Sequence, residues 1–184
     1  MRAIAYHHGD LRRTILSAAV DAITESGVDG WSLRELARRA GVSHAAPAHH
    51  FGDRTGLLTA VAAEGYQLLA DALQAAEPGF LEAGLAYIGF ATEHPAHFTV
   101  MFQPALYRPD DDAVTDARER AGALLRAGAQ AVAGERSDAE STALAGWSIA
   151  HGFASLWLAR ALPAHTRADA VAAARPVLRR LVEH

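Results

Sequence analysis

A group of hydrogen-bonding side chains follows a glycine-containing turn in the first third of the chain. Ser43, His44 and His49 can donate to phosphates or to the edges of bases, and the small side chains of Ala45 and Ala48 can touch a thymine methyl group. This combination indicates nucleic-acid recognition; the alternative is that these side chains only face solvent. With the expected phosphate contacts added, the candidate DNA-binding residues are Ser32, Arg34, Ser43, His44, Ala45, Ala48, His49, His50 and Arg54.

Two short helical patterns must position these residues. Ser32 and Glu35 are spaced as a capping box, in which each side chain accepts from the backbone N–H of the other residue. Ser43 is expected to cap a second helix over residues 44–50, with Pro47 inside that helix and bending it. Two helices joined by a turn of about three to four residues form a helix-turn-helix, whose second helix enters the DNA major groove. The reading helix contains no Arg or Lys, so we expect modest base reading and a large contribution from phosphate contacts.

The sequence offers little for catalysis. It has no cysteine, which excludes disulfides and thiol chemistry, and it lacks HExxH, Gly-x-Ser-x-Gly and phosphate-loop motifs. His94 and His97 lie three residues apart without a cysteine or a matched carboxylate motif, so we expect neither a metal nor another cofactor. We therefore expect a protein that is not an enzyme. The alternative is an enzyme that uses the histidines of the C-terminal region.

An apolar and aromatic region extends over residues 80–103. Pro95 divides it into two helices, and aromatic and methionine side chains around such a bend suit an apolar small-molecule cavity. Taken one by one, the same side chains are more simply explained as core, so the sequence leaves open whether they line a cavity. The candidate ligand-binding residues are Phe90, His94, Phe98, Met101, Phe102, Leu125, Trp147 and His151.

Composition favours an all-α protein, because alanine is abundant and β-branched and aromatic residues are sparse in runs. We expect about nine helices in two domains, a DNA-binding domain over residues 1–54 and a ligand-binding and dimerisation domain over residues 55–184. The net charge of −4 is uneven: the first range has seven arginines and six acidic residues, the second ten arginines and fifteen acidic residues. This distribution supports DNA binding mildly. No stretch reaches the ~18 apolar residues of a membrane span, and residues 1–10 lack a secretory apolar core, so we expect a cytoplasmic protein with no membrane partner.

The remaining periodicities predict the long helices. Asp10 is expected to cap the first of them, and an arm over residues 1–9 either contacts DNA or frays. The segment 104–112 is expected to be a solvated loop, and Ser137 to Glu140 forms another capping box. The last two helices carry apolar faces that can pair with their copies around a two-fold axis. The predicted long helices cover residues 53–76, 113–133, 138–161 and 167–182, the last kinked at Pro176.

The stretch from Leu11 to Leu58 resembles the DNA-binding domain of the TetR family of bacterial transcriptional repressors. The resemblance rests on the order of the helices, on residues 41–43 (Gly-Val-Ser), and on His50-Phe51 followed by Asp-Arg. Ala48 departs from the family pattern, because many members have a phosphate-contacting tyrosine at this point. Residues 147–152 are also similar to the signature of a TetR subgroup that is named for its Trp, His and Gly.

The resemblance implies a homodimer formed through the two C-terminal helices and a small apolar effector bound between helices four to eight. We therefore expect a ligand-responsive repressor that binds a palindromic double-stranded DNA operator as a homodimer. The alternative is a helix-turn-helix regulator without a small-molecule effector.

Overall fold

The computed structural model describes residues 8–133, 139–166 and 168–180. Within these ranges the chain is all-α, as its composition predicts, and no helix there is long and apolar enough to cross a membrane. Three parts of the predictions lie outside the described residues: the first seven residues of the predicted arm over residues 1–9, the first two residues of the capping box at Ser137, and the last two residues of the predicted final helix. The described part contains α1 (His8–Ser26), α2 (Leu33–Arg39), α3 (Ala46–Phe51), α4 (Arg54–Ala75), α5 (Phe80–Glu93), α6 (Pro95–Met101), α7 (Asp112–Ala133), α8 (Ala139–Leu158) and α9 (Ala170–Arg179), with short 3-10 helices at Pro104–Leu106 and Ala164–Thr166.

The starts of the first and last helices differ from the predicted ones. Helix α1 begins at His8, so Asp10 lies inside the helix and not at the predicted N-cap position. Helix α9 begins at Ala170, because Asp169 adopts an extended backbone and its carboxylate accepts from the Ala172 N–H at 2.9 Å. The helix was predicted to start at residue 167. Aspartate is a better N-cap than the residues found there. Pro176 lies inside α9, as predicted.

The chain forms two compact units, which do not coincide with the predicted ranges 1–54 and 55–184. The first unit comprises Met1–Gly65 and Ala96–Thr115, and the second comprises Tyr66–Pro95 and Asp116–His184. Helix α4 therefore contributes its first half to one unit and its second half to the other. The difference arises because the segment after Pro95 attaches to the first half of α4.

In the first unit, α1, α2 and α3 pack against one another. Ile15 and Leu36 are fully buried, and Phe51 is almost so. The turn between α2 and α3 forms as predicted, because Gly41 adopts a φ of +66° and the Val42 N–H then reaches the carbonyl of Ala37 at 2.9 Å. Local sequence signals therefore set the first half of the helix-turn-helix.

Residues 97–108, called here the 97–108 segment, lie against the first half of α4. His97 Nε2 lies 2.9 Å from Glu64 Oε2, and the Arg108 N–H donates to Thr59 Oγ1 at 3.1 Å. The expectation of a solvated loop over residues 104–112 is wrong for Tyr107, which is buried and donates its hydroxyl to the Met101 carbonyl at 2.9 Å. These contacts explain why the segment belongs to the first unit.

In the second unit, α5 packs against α8 and α9, and α8 packs against α9. Small residues make this packing close. A Cβ at Gly146 would lie 2.2 Å from Phe80 Cζ, and a Cβ at Gly84 would lie 2.9 Å from Leu178 Cδ1. The alanines and glycine that recur along α8 thus serve contacts within the chain, with Gly146, Ala150 and Ala154 all buried.

The corner between α3 and α4 should not tolerate a side chain at Gly56. A Cβ there would lie 2.0 Å from the Phe51 carbonyl oxygen, and a backbone atom cannot move away without shifting α3. We expect Gly56→Ala to lower the free energy of unfolding by about 2 kcal/mol, measured by urea denaturation.

Gly122→Ala in α7 is the matched control, because the nearest atom to its Cβ is the flexible end of Arg126 at 3.1 Å. The same substitution should there raise the free energy of unfolding by up to about 1 kcal/mol, since alanine favours the helix. Equal effects at the two positions would contradict the close approach at Gly56.

Candidate functional site

The second helix of the helix-turn-helix starts later than predicted. It is preceded by Ala45, which makes no side-chain capping bond, while the Ser43 carbonyl accepts from the Ala46 N–H at 3.0 Å to form a turn. The prediction that Ser43 caps a helix over residues 44–50 is therefore wrong. Pro47 lies in the first turn, where no helix hydrogen bond needs its missing N–H, and its ring is buried. The prediction that Pro47 lies in the helix interior is therefore wrong, and Pro47 removes no helix hydrogen bond.

The candidate DNA-binding residues lie on the surface of the first unit. His50 is half-buried at the end of α3, and the residues before it alternate between the core and solvent in the way that a short docked helix requires. Their contact with DNA stays a prediction. The exposed members are Ser32, Arg34, Ser43, His44, Ala45, Ala48 and His49.

The predicted capping box forms only in part. Ser32 Oγ accepts from the Glu35 N–H at 3.2 Å, as expected. The Glu35 carboxylate does not return to Ser32, because it accepts from Arg39 at 3.0 and 3.2 Å. Arg39 also donates to Glu25 at 2.6 Å, and these hydrogen bonds, the one to Glu25 first, raise the pKa of Arg39 above its usual value. Arg39 is thus committed to contacts within the protein.

Arg54 is engaged in a similar way. Its guanidinium donates to the Val28 carbonyl and to Asp29 Oδ1, and it lies 4.8 Å from the centre of the Trp31 ring. These contacts brace the start of α4 against the α1–α2 connection. Arg54 is also a predicted phosphate contact. The same guanidinium would then have to contact DNA while it makes these bonds within the protein.

Two arginines of α2 are differently placed. Arg34 and Arg38 are exposed, and neither side chain makes a hydrogen bond or ion pair with another residue in the described ranges. They lie four residues apart and so share one face of the helix. Arg38 was absent from the predicted set, although this spacing from Arg34 was a signal that could have found it.

The candidate ligand-binding residues divide between the two units. Phe98, Met101 and Phe102 belong to the first unit, where Phe98 and Phe102 pack with ring centres 5.1 Å apart and Met101 is buried. In the second unit, the buried ring of Phe90 lies 5.6 Å from that of His94. Of the candidate set, only Leu125 and Trp147 line a small pocket beside α5 and α8 in that unit, called here the second-unit pocket, which has a volume of about 20 Å³.

A polar cluster centred on Tyr87 stands beside this pocket. Trp147 Nε1–H donates to Tyr87 Oη at 3.2 Å, and Tyr87 Oη lies 2.9 Å from His151 Nδ1. Burial raises the pKa of the Tyr87 phenol, so the hydroxyl keeps its proton and can donate it to Nδ1. Burial also lowers the pKa of His151, which favours the neutral ring that this bond needs. The residues that resemble the subgroup signature thus meet at Tyr87, which the sequence pattern did not include.

The described residues contain no group of three or more histidine, aspartate or glutamate side chains that could hold a metal ion. His97, one member of the histidine pair considered for a metal, is instead bonded to Glu64.

Comparisons with known proteins agree on one family. The family described as "Bacterial regulatory proteins, tetR family" matches residues 15–61, and the one described as "Tetracyclin repressor-like, C-terminal domain" matches residues 80–181. The HTH-type transcriptional regulator BetI of Klebsiella pneumoniae (strain 342) is 40% identical over 62 residues, which are 34% of this chain and 32% of that regulator. The chain thus spans about a third of the length of the curated relatives that it matches.

Solved structures are similar over nearly the whole chain. A protein of unknown function from Rhodococcus sp. RHA1 is 34% identical, with 98% of this chain and 99% of that chain covered and a TM-score of 0.79. The TetR family regulator PfmR from Thermus thermophilus is 26% identical, with 91% and 96% covered and a TM-score of 0.63. The regulator FadR from Bacillus subtilis, solved in complex with stearoyl-CoA, is 16% identical, with 93% and 97% covered and a TM-score of 0.71, and shows the fold alone.

The second family match covers more than half of the chain, and the first covers the helix-turn-helix described above. The chain therefore belongs to the TetR family of helix-turn-helix, DNA-binding transcriptional regulators and is not an enzyme.

Proposed function

We propose that the chain is a ligand-responsive repressor that binds a roughly palindromic operator as a homodimer. The observation that carries the proposal is the location of the exposed large apolar side chains. All those among the described residues lie on α8 and α9: Leu144 (57% exposed), Trp147 (40%), Leu156 (49%) and Val177 (45%).

The spacing along α8 fits a helix–helix contact with a second copy. Leu144, Ser148, Gly152 and Leu156 recur every four residues and so form one stripe. A Cβ at Gly152 would meet nothing within 4 Å, so the surface in the middle of this stripe is recessed and not covered by other residues. A second copy can approach closely there while its leucines cover Leu144 and Leu156. Such a pairing of identical surfaces produces a two-fold dimer.

A two-fold dimer presents two reading helices to DNA. In dimeric helix-turn-helix proteins these helices lie about 34–36 Å apart, or a multiple of that distance, and the operator repeats the same symmetry. The exposed face of α2, with Arg34 and Arg38, supplies cations for phosphates beside α3. We infer that bases are read through the exposed side chains of Ser43 and His44, in the turn before α3, and of His49 in α3.

The second-unit pocket is the candidate effector site. Its volume of about 20 Å³ is the room of a single water molecule, whereas small-molecule pockets measure about 300–1,000 Å³. The pocket is thus closed to a small molecule. To widen it, side chains that lie over glycines, such as Phe80 and Leu178, would have to turn away. Its lining is largely apolar: Phe80, Leu81, Ala83, Gly84, Tyr87, Leu125, Ala143, Gly146, Trp147, Ala150 and Leu178.

An apolar effector fits this lining, because the Tyr87 hydroxyl already bonds to Trp147 and His151. Since α4 has residues in both units, a displacement of its second half can alter its first half. For an almost complete release of DNA, the effector would have to bind the DNA-free conformation more tightly than the DNA-bound conformation, by about 5 kcal/mol. The small size of the pocket favours, as the second candidate, a regulator without an effector.

DNA binding by this surface is testable on fragments of the protein's own upstream region. We expect a palindromic footprint in a protection experiment. In fluorescence anisotropy, the logarithm of the affinity should fall linearly with the logarithm of the salt concentration. Arg34→Met should weaken binding to all sequences and reduce the salt slope of the dimer by about 2, because one phosphate contact is lost in each subunit. Arg118→Met, at an exposed position of α7, is the matched control and should leave the slope unchanged. Equal binding to random fragments at every salt concentration would count against an operator in that region.

The proposed dimer predicts a clear response to a charge on α8. Leu156→Glu should convert the protein to a monomer in light scattering after gel filtration, because the carboxylate would be buried without a partner. Its melting temperature at low concentration should stay close to that of the wild type, since Leu156 is already half exposed in one chain. Ala127→Glu, on an exposed position of α7, is the control and should remain dimeric. A monomeric wild type would refute the interface.

The Tyr87 cluster predicts a pH dependence of stability. An unfolded histidine titrates near pH 6.5, and burial lowers the pKa of folded His151. Between these two pKa values the unfolded chain binds more protons, so the stabilisation is complete above about pH 6.5 and is lost as the pH falls towards the folded pKa. Urea midpoints measured from pH 7.5 to pH 5 should therefore fall less steeply for His151→Asn, which retains an acceptor for Tyr87, than for the wild type.

His44→Asn, an exchange of the same kind at an exposed position, serves as the comparison and should follow the wild-type slope. A His151→Asn slope equal to that of the wild type would show that His151 titrates alike in both states.

A further inference from the structure

We propose that Arg108, which lies outside the helix-turn-helix sequence, is a positioning residue for DNA binding. It acts through Asp53, by holding the corner between α3 and α4 and by cancelling a negative charge beside the DNA-binding residues. The inference goes beyond the proposed dimer and effector and rests only on DNA binding by α2 and α3.

Both the backbone and the side chain of Arg108 are fixed to α4. Arg108 Nη2 lies 3.1 Å from Asp53 Oδ1 and 2.8 Å from Oδ2. The Arg108 N–H donates to Thr59 Oγ1 at 3.1 Å, and this buried hydroxyl in turn donates to the Thr55 carbonyl at 2.7 Å. A Cβ at Gly56 would lie 2.9 Å from Arg108 Nη1, so the guanidinium crosses the first turn of α4 where the side chain is missing.

Asp53 joins the reading helix to α4. Its N–H donates to the carbonyl of Phe51, the last residue of α3, at 3.0 Å. Its carboxylate accepts from the Gly56 N–H at 2.6 Å and so caps α4. The residue that Arg108 holds is therefore the one that sets the direction of the chain between the two helices. A displacement of Asp53 moves the end of α3.

The charge of Asp53 matters because of its neighbours in sequence. It directly precedes Arg54 and lies three residues after His50, and both belong to the candidate DNA-binding set. The Asp53 side chain is 59% exposed, so an unpaired carboxylate would repel phosphates within the screening distance of about 10 Å at 0.1 M salt. The Arg108 guanidinium removes that repulsion. An ion pair this exposed adds little to stability, so its effect on DNA binding is the informative quantity.

The test compares Arg108→Met, which keeps the length of the side chain, with Arg108→Lys, which keeps the charge. Affinity for DNA is measured by anisotropy across a salt series, with nonspecific DNA at low salt included. We expect Arg108→Met to weaken binding about fivefold and Arg108→Lys to restore most of the loss. Melting temperatures should stay near that of the wild type. Arg118→Met controls for the loss of one positive charge elsewhere and should change the affinity by less than about twofold.

Asp53→Asn separates action through Asp53 from direct contact with DNA, because asparagine still caps a helix but carries no charge. In the Asp53→Asn background, Arg108→Met should have little effect on affinity. An undiminished loss in that background, with a salt slope lower by about 1 for each bound subunit, would mean that Arg108 itself contacts phosphate and would overturn the proposal.

Unchanged affinity of Arg108→Met in the otherwise wild-type chain would overturn the proposal as well. Failure of the wild type to bind any DNA at low salt would refute binding by α2 and α3, and the inference with it. Binding by a monomer would refute the proposed dimer and leave the Arg108 comparison fully interpretable.

Discussion

The first half of α4 must accept close neighbours at two glycines, a backbone carbonyl at Gly56 and a side chain at Gly65, and the arrangement of the first unit depends on this constraint. The Phe51 carbonyl comes so close to Gly56 that no side chain fits there, and the Met101 side chain approaches Gly65 in the same way. Between these glycines, Thr59 and Glu64 bond to Arg108 and His97. A reading helix of six residues is too short to be stable by itself. Its position therefore follows from packing at this corner and from the burial of Pro47 and Phe51.

In the second unit, the corresponding constraint is a single buried hydroxyl. Tyr87 is fully buried, and a phenol in that position is costly unless its oxygen is hydrogen-bonded. Trp147 and His151, one turn apart on α8, both reach it. This requirement fixes the rotation of α8 against α5, with Ala150 and Ala154 inward and Leu144 and Leu156 outward. The direction of the apolar face proposed for dimerisation thus follows from the hydrogen bonds that Trp147 and His151 make with the Tyr87 hydroxyl.

Features with local causes could be predicted from the sequence. The all-α class, the glycine turn after α2 and the division of α5 from α6 at Pro95 depend on neighbouring residues, and the structure confirms them. The start of α3 could not be predicted in this way, because the burial of Pro47 decides it. Residues 107 and 108 were taken for solvated loop since Asp-rich sequence follows them, yet Arg108 bonds to Asp53 and Thr59, about fifty residues earlier. The aromatic residues of α5 and α6 indicated a cavity, but content alone does not say which compact unit each ring joins.

The cations of the candidate interface limit how DNA can be bound. Arg39 and Arg54 are engaged within the protein, and the reading helix carries no arginine, so a single subunit offers few strong contacts to phosphate or guanine. Weak half-sites gain affinity when two of them are joined, provided that their spacing matches the operator, since the second contact is then intramolecular. Affinity then depends steeply on geometry, because a small displacement of each reading helix removes the benefit of the second. In the proposed dimer, the contacts that hold the α3–α4 corner would therefore affect affinity for DNA together with the residues that touch it.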